Sequence, residues 1–157
     1  MILAIESPRC PDTMRLLDEH LADMSDTAPE ESRHAFDVGQ LDQPSVSFWA
    51  AREDGELLGV GALKIHDDNT GEVKSMRTAP ETRGRGVAAA ILQRIIDTAH
   101  EKGLRELNLE TGSDEFFASA WRLYERHGFV ERGPFADYKV DPHSRHYGLG
   151  LRAPGET

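Results

Sequence analysis

Glu72-Val73-Lys74-Ser75-Met76-Arg77-Thr78-Ala79-Pro80-Glu81-Thr82-Arg83-Gly84-Arg85-Gly86-Val87-Ala88 changes character twice within a short span. Glu72 to Thr78 reads as a strand, and Asp68-Asn69-Thr70-Gly71 before it has the residues of a turn. Ala79 to Thr82 is a loop. From Val87 onward an apolar stripe of Ala88, Ile91, Ile95 and Ala99 predicts a helix to about Lys102, with Gly103 as its stop. Arg83-Gly84-Arg85-Gly86-Val87-Ala88 therefore lies between a strand and a helix N-terminus. Unpaired backbone N–H groups and the positive end of the helix dipole make such a terminus an anion site. The glycines let the backbone approach a phosphate closely, and the arginines add charge and bidentate donors. Pyrophosphate is the natural ligand; the plain alternative is a solvated glycine-rich turn with two surface arginines.

Upstream, Ile2 to Glu6 is a short strand stopped by Ser7-Pro8. Asp12 is expected to cap a helix in which Met14, Leu17, Leu21 and Met24 recur at helical spacing. Ser25 to Pro44 is polar and irregular, with one short helix expected around Glu30 to Phe36. Val46 to Arg52 and Leu57 to Ile65 are apolar segments joined by Asp54-Gly55, a strong hairpin signal. Phe48 and Trp49, adjacent on a strand, should face opposite sides of the sheet. Downstream, Arg105 to Thr111 alternates as a strand, and Ser113 is expected to cap a helix carrying Phe117, Ala120 and Tyr124, closed by Gly128. Phe129 to Arg132, Tyr138 to Val140 and Tyr147 to Leu151 are candidate strands. No repeat or linker interrupts the chain, so residues 1–157 are expected to form a single domain. Its class is α/β (α+β): a mixed, mainly antiparallel sheet flanked by helices on both faces.

The 157 residues suit one sizeable core. With 28 acidic against 18 basic residues the net charge is −10, which argues against nucleic acid as a partner and weakly favours cationic substrates. Cys10 is the only cysteine, so no intrachain disulfide forms and a cysteine-based zinc site is excluded. No apolar run approaches the roughly 20 residues that span a bilayer, and Met1 to Ile5 is too short for a signal segment. A cytoplasmic protein with no membrane partner is expected. Asp141, His143 and His146 read as a polar turn, and no metal is expected.

Gly84-x-Gly86-x-x-Ala89 also matches a dinucleotide-binding fingerprint, with Glu110 placed after the next strand. In that fold, however, the glycines follow the first strand directly and open the domain. Here a loop and an antiparallel meander precede them, and too little chain follows for a doubly wound sheet. That reading, a dinucleotide-binding oxidoreductase, is the weaker one.

Arg83-x-x-Gly86-x-Ala88 resembles the Q/R-x-x-G-x-G/A signature of the GNAT N-acetyltransferase superfamily, and Met76-Arg77-Thr78-Ala79-Pro80 looks like its lead-in strand. Ala120-Trp121-Arg122-Leu123-Tyr124-Glu125-Arg126-His127-Gly128-Phe129 resembles the family's A-x-x-L-Y-x-x-x-G-F element. Gly133 to Tyr138 and Asp141-Pro142 further resemble a subgroup of small bacterial members. The resemblance implies acetyl transfer from acetyl-CoA to a primary amine of a small molecule or peptide by direct attack. It implies that Arg83, Gly84, Arg85, Gly86, Val87 and Ala88 hold the CoA pyrophosphate, and that backbone groups of Met76, Arg77 and Thr78 meet the pantetheine and the oxyanion. Phe117 stands where many relatives carry a cofactor-touching Asn. Tyr124 is the implied general acid for the departing thiolate. Glu72 is the implied general base, with Glu110 a second candidate. An acyl-CoA-binding domain without catalysis is the alternative of another class. Homodimers are a common outcome for domains of this kind.

Overall fold

Asp54 and Gly55 both adopt the left-handed backbone, φ 51° and 81°, which a two-residue hairpin demands of its central pair. They join β2 (Val46–Glu53) to β3 (Glu56–Ile65), whose register closes at Glu53 opposite Glu56. Asn69, at φ 66°, turns the chain again into β4 (Thr70–Thr78). This computed structural model describes residues 1–27, 38–82, 84–136 and 138–151; the helix expected around Glu30 to Phe36, and Arg83, lie outside them. With β1 (Ile2–Ile5), β5 (Glu106–Gly112), β6 (Val130–Arg132) and β7 (Ser144–Gly150), the strands form one sheet in the order β1-β2-β3-β4-β5-β7-β6. Every pairing is antiparallel except β4 with β5. A parallel pair needs a crossover, and α3 (Val87–Glu101) supplies it.

Helices cover both faces, as expected. On one face α3 and α4 (Ala118–Arg126) pack over Leu63, Val73, Leu107 and Leu109. On the other, α1 (Pro11–Thr27) and α2 (Val38–Leu41) contribute Leu16, Leu17 and Leu41 to a cluster with Phe48, Ala50, Val60 and Ala62. Trp49 belongs to the first cluster and Phe48 to the second, so the adjacent pair does split between faces, and both rings are core.

Two features open the sheet at its centre. The β4–β5 ladder runs only from Thr70 opposite Glu106 to Val73 opposite Leu109. Immediately beyond, Ser75 takes φ 60° and the β3–β4 register slips between Val60 and Ala62, a bulge that bends β4 away. Gly61 faces α3 there with no room to spare: a Cβ would lie 2.5 Å from Ile91 Cγ2 and 2.7 Å from Met76 Sδ.

Several local expectations are corrected. Asp12 does not cap α1. The helix begins one residue earlier, with Pro11 at its first position, and Asp12 turns to Arg52, 2.7 Å from its Nη1. Its buried stripe is Thr13, Leu16 and Leu17, whereas Met14 is 38% exposed; the side chains of Leu21 and Met24 lie outside those described. The stretch expected to be irregular from Ser25 to Pro44 includes the end of α1 and all of α2. Ser113 is not a helix cap either: its hydroxyl donates to the Pro142 carbonyl, and a 3-10 turn (Glu115–Phe117) leads into α4. Tyr138 to Val140 is not a strand, because Tyr138 N–H closes a turn onto Phe135 O and its side chain is drawn across the sheet. β7 starts earlier than expected, at Ser144, where pairing with Gly112 of β5 is available.

Candidate active site

The start of α3 is built for close approach. Gly84 and Gly86 have φ 84° and 79°, conformations that cost other residues steric strain, and a Cβ at either would meet no atom within 4 Å. Gly86 is the N-cap, and the helical ladder begins with Ala90 N–H donating to Gly86 O. The N–H groups of Val87, Ala88 and Ala89 thus have no partner within the helix. Buried Thr82 pins the preceding loop, its hydroxyl 2.7 Å from Ala79 O.

These groups face a cavity of about 500 Å³ between the end of β4, the start of α3 and one face of α4. Of the residues singled out in the sequence, Met76, Arg77, Thr78, Gly84, Gly86, Val87, Ala88, Phe117 and Tyr124 line it together. Arg85 does not: its guanidinium pairs with Glu53 beside the β2–β3 turn, both side chains about half exposed. Sequence reading missed Ser119, Ala120 as a wall residue, Leu123 and Arg126. The signal was helical spacing: Ala120 stands four residues before Tyr124, and Ser119, Leu123 and Arg126 form an adjoining row at i, i+4 and i+7 on α4. Phe117 reaches the wall because Gly112 has no side chain; a Cβ there would overlap its ring.

Tyr124 is 6% exposed and packs between Phe129 and Tyr147, with ring centroids at 5.9 and 6.1 Å. Burial pushes its phenol pKa up, so at neutral pH it keeps its proton and can donate it. Cys10 sits just before α1 and is not among the cavity residues.

Glu72 lies elsewhere. Val73 faces α3, so Glu72 points from β4 to the opposite side of the sheet. Only 3% exposed, it is held at both carboxylate oxygens: Oε1 is 3.0 Å from His66 Nε2, and Oε2 accepts from the Tyr138 hydroxyl at 2.6 Å. Lys74 Nζ is 3.7 Å from the same Oε2. On the same face Glu110 Oε2 is 3.1 Å from Nε2 of buried His146, against which the rings of Phe135 and Tyr138 pack. His143, grouped with His146 in the sequence, is exposed and takes no part in this pair; its N–H donates to Asp141 Oδ1. Tyr138 enters the sequence reading only as the start of a strand and within the Gly133 to Tyr138 run, and His66, just after β3, is not singled out at all. Among the described residues no three His, Cys, Asp or Glu side chains converge as metal ligands, and no helix is long and apolar enough to cross a membrane.

The family model of the acetyltransferase (GNAT) family matches residues 13–129. An uncharacterized N-acetyltransferase of Escherichia coli is 47% identical over 141 residues, covering 90% of this chain and 89% of that protein. Another, from Bacillus subtilis, is 47% identical over 129 residues, 82% of this chain and 85% of that one. A solved structure from Klebsiella pneumoniae, described as a candidate acyl-CoA N-acyltransferase, is 25% identical with a TM-score of 0.79, covering 96% and 97% of the two chains.

Proposed function

The chain belongs to the acetyltransferase (GNAT) family and is an acetyl-CoA-dependent N-acetyltransferase, and from that premise we propose how its own residues divide the work. Acetyl-CoA occupies the cavity beside α3, with its pyrophosphate on the Arg83–Ala88 loop. The observation that carries this reading is a helix N-terminus with two left-handed glycines, opening on the same cavity that Tyr124 lines. The empty space at the Cβ positions of Gly84 and Gly86 suits a phosphate seated on backbone N–H groups. Arg126, on the cavity wall, adds a cation for the CoA phosphates, while Arg85 has to exchange Glu53 for the ligand.

Members of the family act on amines; here the acceptor is proposed to be a primary amine of a small molecule or peptide. Acetyl-CoA supplies the thioester carbonyl that the neutral amine attacks directly. Beyond Val73, β4 pairs with β3 but no longer with β5, and in this reading the edge of Met76 to Thr78 that borders the gap meets pantetheine and oxyanion. Tyr124 donates its phenolic proton to the leaving thiolate from the α4 side. Glu72 accepts the ammonium proton from the opposite face, directly or through water, so the two groups act across the parted strands. Glu110 is the second candidate for this base, because it is the first β5 residue past the ladder's end and is paired with His146.

Calorimetry with acetyl-CoA, CoA and NAD(P), followed by thiol release over a panel of amines, tests the proposal. Binding of acetyl-CoA and CoA but not NAD(P), with thiol release that requires an amine, is the expected result. Tight acetyl-CoA binding with no thiol release from any amine would leave a binding module instead.

A further inference from the structure

We infer that Tyr138 is a positioning residue of the transfer reaction: its hydroxyl anchors Glu72 and its ring packs on His146, which links two carboxylate–imidazole pairs, Glu72–His66 and Glu110–His146, into one partly buried unit where β4 and β5 part. The inference rests on the reading of Glu72 as the base. A buried carboxylate stays ionised only where donors replace water. Glu72 has one on each oxygen, His66 at 3.0 Å and Tyr138 at 2.6 Å. Tyr138 comes from the segment between β6 and β7, far from Glu72 in sequence, and its ring is wedged against Phe135 and His146 with centroids at 5.1 and 5.8 Å. The charged and titratable groups facing Tyr138 are Glu72 from β4, Glu110 from β5 and His146 from β7, and those facing Glu72 besides it are Lys74 from β4 and His66 from the turn before that strand.

Burial first, and then the two carboxylates, push the Tyr138 phenol upward, so it acts as a fixed donor and does not itself give up a proton at neutral pH. Glu110 is one residue beyond the last β4–β5 pair, so the unit borders the gap through which an amine must reach the thioester. Removing the hydroxyl strips Glu72 Oε2 of its short donor and leaves Lys74 at 3.7 Å. A carboxylate that has lost a donor to its ionised form holds a proton more readily.

The test is the pH profile of kcat/KM, measured with acetyl-CoA and whichever panel amine turns over, for wild type, Tyr138→Phe and Glu72→Gln. Tyr138→Phe should lower kcat/KM about tenfold on the acidic side of the profile, moving that limb, while acetyl-CoA affinity holds. Glu72→Gln should remove that limb. An unmoved limb in Tyr138→Phe, with the limb lost in Glu72→Gln, would overturn the role of Tyr138 alone. An unmoved limb in Glu72→Gln would overturn the base assignment beneath it. Independently of any amine, NMR titration of the His66 and His146 imidazoles should show both disturbed by Tyr138→Phe. Two undisturbed titrations in folded protein would dissolve the unit.

Discussion

Tyr124 carries two demands at once, and its surroundings explain how one side chain meets both. The ring is core, held edge-on against Phe129 and tilted against Tyr147, while the residue lines the cavity. Tyr124→Phe therefore keeps the packing and removes only the hydroxyl, the proposed proton donor. Single-turnover transfer from acetyl-CoA should fall by about 10²-fold, the low end for a positioned acid because a thiolate leaves readily, with acetyl-CoA affinity nearly constant. Equal single-turnover rates for the two proteins would make Tyr124 a packing residue, with solvent protonating the thiolate.

At the scale of elements, the site depends on how closely α3 lies on the sheet. Gly61 permits that contact, since the side chains of Ile91, Ile95 and Met76 fill the space where a Cβ would be. Ile91 and Ile95 are fully buried, and Met76 belongs to the cavity wall, so none of the three moves without consequence. Gly61→Ala should cost about 1–3 kcal/mol by overpacking, seen as a lower Tm. Because the strain acts on the helix whose N-terminus faces the cavity, acetyl-CoA affinity should weaken in parallel. A destabilised variant with unchanged affinity would show that the anion site is independent of the helix's seating.

Across the whole molecule, the acidic chain uses Arg52 to tie its N-terminal elements to the sheet. The guanidinium of Arg52, on β2, contacts Glu6 after β1 at 2.9 Å and Asp12 of α1 at 2.7 Å. The hydrogen bond from Arg52 holds the Asp12 carboxyl below the usual carboxylate range, against the opposing effect of desolvation. A carboxyl lowered in the folded state adds stability that is present above its unfolded pKa, about 3.9, and is lost as pH falls through the folded value. Arg52→Met should accordingly lower Tm at pH 7, and the gap to wild type should shrink below about pH 4. Calorimetric melting at both pH values checks this; a gap that stays constant would mean that Arg52 stabilises through packing.

Much of the fold is legible because it is encoded locally. The left-handed turn at Asp54-Gly55, the stops at Gly103 and Gly128, and the loop-to-helix start at Gly86 depend on φ preferences that single residues carry. The alternation of Leu107 and Leu109 in β5 likewise reports the face turned to the core directly. So the β2–β4 meander, the helix that follows it and many of the cavity-lining residues follow from reading along the chain. The α1 stripe does not, because Met14 and Leu16 are both apolar and only the docking angle against Phe48 and Val60 decides which is buried. Arg85 has the charge for a phosphate, but the β2–β3 hairpin brings Glu53 within its reach. Tyr138 meets Glu72 only because β7 pairs with β5, which folds the intervening segment across the sheet. What the sequence by itself determined are the turns, the strands and the glycine-rich start of α3, since these are set by neighbouring residues. Which carboxylate is held by which donor, and on which side of the sheet Glu72 and Tyr124 stand, was decided by tertiary structure, because hydrogen bonds between distant segments exist only once the sheet has brought them together.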